Sequence, residues 1–208
     1  LFLENADSNG VDRLFGGTPG ADSGIDTIDY SESGVFTPSP GVVVQLNGWS
    51  TTNDGAGTML ATFYGIENAV GTMFAEALIG SAVYNRITGV AGADWLVGGG
   101  GDDTFVQGID TTSVDRLFGG TAGADSGLSD TIDYFDASQG VAVQLSGYAT
   151  TNGGSITLAT FSGIENAVGS SFDDALLGNA GANRLTGGTG GDWLGGGPGA
   201  DPFVSQST

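Results

Sequence analysis

Eight oxygen-bearing residues recur at intervals of nine: Glu76, Asn85, Asp94 and Asp103, then Asp174, Asn183, Asp192 and Asp201. Carboxylate and amide oxygens repeated at a fixed short spacing can hold a hard divalent cation. Softer ligands are excluded, because the chain has no His and no Cys. The overall charge demands such a cation. Twenty-four acidic residues face four Arg and no Lys, a formal charge of −20, and 40 glycines add a large ordering entropy. Nucleic acid is excluded as a partner by the same charge, since its phosphates would be repelled. Paired carboxylates can also do acid–base work. Here there is no His, no thiol and no G-x-S-x-G elbow to act with them, so the chain is expected not to be an enzyme.

The elements that must position these oxygens follow from the same period. In frame at Gly71, four nonads run 71–79, 80–88, 89–97 and 98–106, and four more run 169–177, 178–186, 187–195 and 196–204. Every nonad begins with Gly, has its acid or amide sixth, and has a large apolar residue eighth: Leu78, Ile87, Leu96, Phe105, Leu176, Leu185, Leu194 and Phe203. Six Gly-rich residues make a tight loop, and three more make a short strand whose central side chain points inward. Two nonads then close one 18-residue turn. Loops on one edge stack at about 4.8 Å, so like charges would meet unless a cation lay between them. On this geometry Glu76 pairs with Asp94, Asn85 with Asp103, Asp174 with Asp192, and Asn183 with Asp201.

Gly98-Gly-Gly-Gly-Asp-Asp103-Thr-Phe105-Val and Gly187-Gly-Thr-Gly-Gly-Asp192-Trp-Leu194-Gly match G-G-x-G-x-D-x-U-x, with U large and apolar. The sequence therefore resembles the RTX (hemolysin-type) calcium-binding repeat family. The resemblance implies an all-β, right-handed parallel β-roll (β-solenoid), in two tandem copies with short inserted strands, with several bound Ca²⁺, one between each stacked pair of loops. It also implies that carbonyls complete each shell: Thr72, Phe74, Gly89 and Ala91 at the first site, and Ser81, Val83, Gly98 and Gly100 at the second. The equivalents in the second run are Ser170, Phe172, Gly187 and Thr189, then Asn179, Gly181, Gly196 and Pro198. Asn85, Asn183 and Glu76 depart from the expected Asp, and Pro198 and Pro202 interrupt the last nonad. The Asp174–Asp192 pair is expected to bind best and the Asn pairs more weakly. Asp12, Asp26, Asp115 and Asp130 fit the sixth position of isolated nonads, but insertions are expected to break their 18-residue register. Glu67 and Glu165 precede the runs by one nonad. Whether these six join the sites stays open.

The whole arrangement is duplicated. Val11 to Thr18 returns at Val114 to Thr121, and Gly65 to Gly71 at Gly163 to Gly169. This divides the chain into a leading piece (1–10), of which residues 2–10 align with 105–113, a first roll (11–106), a junction (107–113), a second roll (114–204) and a tail (205–208). About five turns per copy would give a rod of roughly 50 Å. Gly41–Leu46 and Gly140–Leu145, with 61–63 and 159–161, read as longer strands that widen the roll and cover its flank. Trp95 and Trp193, at the outward seventh position, read as rim aromatics over neighbouring strands, or as a lateral contact with another rod or with glycan.

No apolar run reaches a membrane span. A Ca²⁺-dependent fold needs the millimolar Ca²⁺ found outside cells, which places the chain as secreted or on the cell surface. The resemblance implies export by type I secretion. The expected role is a structural repeat of an adhesin stalk, surface layer or filament, as part of a longer array or by head-to-tail self-association. The alternatives are a secretion and stability module of an exported toxin or hydrolase, and an ice-binding solenoid.

Overall fold

The computed structural model describes residues 2–3, 12–16, 24–31, 41–46, 48–53, 57–120 and 129–205. Among them the chain is all-β, without a helix. The strands are β1 (Phe2–Leu3), β2 (Asp12–Phe15), β3 (Thr27–Asp29), β4 (Val42–Gln45), β5 (Trp49–Thr52), β6 (Met59–Tyr64), β7 (Asn68–Val70), β8 (Ala77–Ile79), β9 (Arg86–Thr88), β10 (Trp95–Gly99) and β11 (Thr104–Val106) in the first copy. The second copy continues with β12 (Asp115–Gly120), β13 (Thr131–Asp133), β14 (Val141–Gln144), β15 (Tyr148–Thr151), β16 (Thr157–Ser162), β17 (Asn166–Val168), β18 (Ala175–Leu177), β19 (Leu185–Gly188), β20 (Trp193–Gly195) and β21 (Phe203–Ser205).

Strands from successive nonads alternate between two sheets. Sheet A has nine strands in the order β1-β3-β7-β9-β11-β13-β17-β19-β21, and every pair in it is parallel. Sheet B has twelve, in the order β2-β6-β5-β4-β8-β10-β12-β16-β15-β14-β18-β20. Registers within the nonad runs are 18 residues, as in Trp95 against Ala77 and Phe105 against Ile87. The eighth-position side chains Leu78, Ile87, Leu96, Phe105, Leu176 and Leu185 are fully buried, and seventh and ninth positions lie outside them. A three-residue strand has room for one inward side chain, so the core between the sheets is one large apolar residue wide per strand.

Two expectations need correction. The longer segments are inserted strands as expected, but they enter a sheet and do not cover a flank. β4-β5-β6 and β14-β15-β16 are antiparallel meanders inserted into sheet B, with β6 parallel to β2 and β4 parallel to β8 in the first copy. Their hydrogen-bonding edges are satisfied within the sheet, which a flank position would leave open. The architecture is thus mostly parallel rather than wholly so. Sheet A also carries four strands per copy beside β1, not five, because the inserted residues build sheet B instead of a further turn.

The two copies differ at one buried hydroxyl. Tyr30 Oη lies 2.5 Å from Ser50 Oγ. Its counterpart Tyr134 is equally buried, but Ala149 stands where Ser50 would be, and the Tyr134 hydroxyl has no hydrogen-bond partner. Val90, second in its nonad, is held at φ 82°, where its equivalents Gly99, Gly188 and Gly197 sit without a Cβ. A β-branched residue there carries about 1–2 kcal/mol of strain. Val90 is exposed, so no core contact opposes its removal. Val90→Gly is expected to stabilise the protein by about 1 kcal/mol, read as a higher thermal midpoint; a lower one would contradict this account.

Candidate metal centre

The nonad loops stack into two columns, one along each edge, and the sixth-position backbone N–H groups of Glu76, Asn85, Asp94, Asp103, Asp174 and Asn183 each reach the carboxylate of the loop after it. In one column Glu76 N–H donates to Asp94 Oδ1 (2.9 Å) and Asp94 N–H to Asp115 Oδ1 (3.0 Å). Val141 N–H donates to Asp174 Oδ1 (2.7 Å) and Asp174 N–H to Asp192 Oδ1 (3.0 Å) further along. The other column is continuous through both copies. Asp26 N–H donates to Glu67 Oε2 (2.9 Å), Asn85 Nδ2 to the Glu67 carbonyl (2.7 Å), Asn85 N–H to Asp103 Oδ1 (2.8 Å) and Asp103 N–H to Asp130 Oδ1 (2.6 Å). Asp130 N–H then donates to Glu165 Oε2 (3.0 Å), Asn183 Nδ2 to the Glu165 carbonyl (2.8 Å) and Asn183 N–H to Asp201 Oδ1 (3.0 Å).

All four pairs expected from the spacing are therefore neighbours. The insertions do break the 18-residue spacing, with Asp115 21 residues after Asp94, Asp130 27 after Asp103 and Glu67 41 after Asp26, yet Asp26, Asp115 and Asp130 still stand in the columns with Glu67 and Glu165. Strand pairing holds the register that sequence separation loses. The side chain of Asp12 lies outside the described residues. The two Asn departures also gain a reason. Each amide accepts from its own loop, Ser81 N–H to Asn85 Oδ1 (2.6 Å) and Asn179 N–H to Asn183 Oδ1 (2.7 Å), while its Nδ2 donates to the Glu carbonyl below. A carboxylate could not make that second bond, and the amide separates two acids of the column.

The outer carboxylate oxygens point into space kept open by glycine. A Cβ on Gly89 would stand 2.1 Å from Asp94 Oδ2, on Gly98 2.2 Å from Asp103 Oδ2, on Gly187 2.3 Å from Asp192 Oδ2, and on Gly196 2.4 Å from Asp201 Oδ2. Carbonyls face the same gap. That of Gly98 would lie 2.0 Å from a Cβ on Gly80, and that of Gly196 2.1 Å from one on Gly178; those of Gly89 and Gly187 face Gly71 and Gly169. The carbonyls of Phe74, Val83, Phe172 and Gly181 lie beneath Gly92, Gly101, Gly190 and Gly199 of the following loops. Those of Ser81, Ser170 and Asn179 lie beneath Gly99, Gly188 and Gly197. Third-position residues contribute backbone bonds: Ala91 N–H reaches the Thr72 carbonyl (3.5 Å) and Gly100 N–H that of Ser81 (2.9 Å). Thr189 instead bonds the Ser171 carbonyl through Oγ1 (3.3 Å), and Pro198 has no N–H to give.

Sequence reasoning assigned Thr72 and Ser170 only their carbonyls. Their hydroxyls matter too: Thr72 Oγ1 donates to Glu76 Oε1 (2.5 Å) and Ser170 Oγ to Asp174 Oδ1 (3.0 Å). Asp110 was missed entirely. It accepts from Gly92 N–H (3.1 Å), Thr112 N–H (2.8 Å) and the Ser113 hydroxyl, which hold its carboxyl well below the ordinary carboxylate range. The run Asp-Thr-Thr-Ser is an Asx-turn signal, and it falls outside the nonad frame.

Electrostatics show what the columns lack. Glu76 Oε2 and Asp94 Oδ2 are buried without a hydrogen-bond partner. Burial pushes Glu76 up to about 9, with Asp94 adding to it, and burial likewise pushes Asp94 up to about 6 and Asp115 up to about 7. Asp174 is raised for the same reason. Stacked acids with oxygens aimed at shared, carbonyl-lined gaps fit a hard cation. Among the described residues no three acids converge on one point, so each such ion would draw two side chains and otherwise carbonyls.

Residues 71–106 and 168–201 match the family described as RTX calcium-binding nonapeptide repeat (4 copies). The chain carries RTX repeats. No curated protein matches it. RTX nonapeptide repeats bind calcium. The matched segments contain all eight nonad acids and amides, and the duplicated segments between them extend the same columns.

Proposed function

We propose that this chain is an extracellular structural repeat, a right-handed β-roll that folds when Ca²⁺ enters the two carboxylate columns and that acts as a spacer in a larger surface or fibre assembly. The observation that carries this reading is the unbroken column from Asp26 to Asp201, in which the second copy continues the first without a change of register. A module built to be one of many stacks in this way. Residues assigned to hold Ca²⁺ are the pairs Glu76–Asp94, Asn85–Asp103, Asp174–Asp192 and Asn183–Asp201 with their facing carbonyls, extended by Asp115 and Asp130. The chain's own part is to aim these oxygens, exclude water behind them with the eighth-position core, and keep the gaps open with first-position glycine. At low Ca²⁺, as inside a cell, the columns repel and the chain stays unfolded for export; outside, binding offsets the repulsion. The role is mechanical rather than catalytic.

Circular dichroism and electron microscopy on one sample, with and without Ca²⁺, test this. Ca²⁺-dependent β-structure in elongated particles is the expected result. A fold indifferent to Ca²⁺, or compact particles, would refute it.

A further inference from the structure

We propose, on the reading of this chain as an extracellular rod, that the outer face of sheet B binds an acidic polysaccharide, one stretch of it on each internal copy. What carries this is a row of four outward side chains on four neighbouring strands, Arg116, Thr160, Tyr148 and Gln144. The first copy repeats it as Arg13, Thr62, Trp49 and Gln45.

Strand pairing fixes every neighbour in the row. Arg116 stands opposite Thr160, Thr160 opposite Tyr148, and Tyr148 opposite Gln144. In the first copy Arg13 stands opposite Thr62, Thr62 opposite Trp49, and Trp49 opposite Gln45. Side chains alternate along a strand, and Leu117, Phe161, Ala149 and Val143, each next in sequence to a member of the row, are buried in the core. The row therefore faces out. The meander makes it, because Thr160, Tyr148 and Gln144 come from β16, β15 and β14 in turn. Arg13 and Arg116 lie six strand steps apart along the face, roughly 29 Å at 4.8 Å per strand.

Charge identifies the occupant. Among the described residues no outward strand position of sheet B is Asp or Glu, in a chain with 24 of them. Arg116 is exposed there, and the one ion pair among the described residues is Arg86 with Asp133, on sheet A. A guanidinium left unpaired on a face cleared of acids is complementary to an anion, and its planar fork fits a carboxylate. Thr160 and Gln144 offer donors and acceptors to hydroxyls. The Tyr148 ring, 46% exposed, offers a flat apolar face to the C–H side of a sugar ring. A cleft of about 270 Å³ continues the row beyond Tyr148, lined by Gln144, Ala142, Ala175 and Leu177 among others. On the other side of Arg116 its partner in register is Trp95, whose ring lies against Phe118 with centroids 4.8 Å apart.

A second copy placed face to face would set Arg against Arg with no carboxylate between. A dense polyanion such as nucleic acid meets the charge of −20. A polymer with one carboxylate every few ångströms less meets mainly Arg116, since salt screens the loop acids over about 8 Å and Ca²⁺ discharges them. Two equal rows along one rod match a linear, repeating ligand.

The probe is hyaluronan, a linear polysaccharide with a carboxylate on alternate sugars, titrated calorimetrically into the 208-residue chain in millimolar Ca²⁺ with circular dichroism on the same samples. A hexasaccharide should occupy two sites per chain, and a neutral dextran oligosaccharide of the same length none. Arg116→Gln and Arg13→Gln should each remove one site, and the double variant both. Tyr148→Ser should weaken the second-copy site by about tenfold or more, whereas Tyr148→Phe should preserve it. Arg86→Gln, on sheet A, should change nothing. Equal binding of hyaluronan and dextran, an unchanged number of sites in Arg116→Gln, wild-type affinity in Tyr148→Ser, or no binding by a chain with full β signal would overturn the polysaccharide site and leave the calcium-dependent rod standing. A chain with no β signal in Ca²⁺ would overturn both.

Discussion

Gly80→Ala is expected to destabilise the protein by about 3 kcal/mol, whereas Gly108→Ala is expected to be neutral or slightly stabilising. Both residues are glycines without a positive φ, and a sequence comparison of residue types would treat them alike. The difference is what an added methyl meets. At Gly108 nothing lies within 4 Å. At Gly80 the Cβ would stand 2.0 Å from the Gly98 carbonyl oxygen and 2.5 Å from Asn85 Oδ1. Neither can retreat cheaply. Gly80 N–H is tied to the Val97 carbonyl (2.7 Å) next to Gly98, and Asn85 is pinned by Ser81 N–H and by its own bond to Glu67. The displaced carbonyl is also one assigned to Ca²⁺ at the Asn85–Asp103 pair, so Gly80→Ala should shift the midpoint of Ca²⁺-induced folding upward. Denaturant unfolding of both variants at fixed Ca²⁺ is the measurement. Equal stabilities would mean that first-position glycine is there for backbone freedom alone.

That contrast marks how far the sequence could be read. The period of nine gave the short strands, the inward eighth positions and the four stacked pairs, because each depends only on local spacing and on side-chain alternation. It could not give the meanders. Val42–Gln45 alternates like any half-buried strand, and whether such a strand covers a sheet or enters it depends on which edge its neighbours leave free. It could not place Asp115 or Asp130 either, although it did set Glu67 and Glu165 one nonad ahead of the runs, 18 residues from Asn85 and Asn183. The separations at these two Asp along the columns, such as 21 residues from Asp94 to Asp115 and 35 from Asp130 to Glu165, share no period. What they share is strand register: Arg116 follows Asp115 and pairs with Trp95, and Thr131 follows Asp130 and pairs with Thr104. The apolar residues two positions after each of these four acids, Leu117, Ile132, Ala69 and Ala167, are core residues too. The acid-x-apolar signature therefore survived the insertions even though the count between repeats did not.

Chelation should invert the pH dependence of stability. Without Ca²⁺ the column Glu76, Asp94 and Asp115 holds buried carboxylates whose folded pKa values are raised to about 9, about 6 and about 7, from ordinary values of 4.5, 3.8 and 3.8. A raised folded pKa means that the folded state binds more protons than the unfolded chain between the two values. The stability these groups contribute is fully present below pH 4.5 to 3.8 and is lost as pH rises through 6, 7 and 9. The chelated protein is therefore expected to be least stable near pH 9 and to gain β-structure on acidification toward pH 5. With Ca²⁺ the sign reverses. The cation needs the ionised carboxylates, so protons compete with it, and the calcium-loaded protein should lose stability as pH falls through the same window. Thermal melts at pH 5, 7 and 9, in calcium and in chelator, separate these cases. The two sets of midpoints should cross. Parallel curves, both falling toward acid, would show that the columns are not the acids that calcium discharges, and the assignment of Glu76, Asp94 and Asp115 would fall with them.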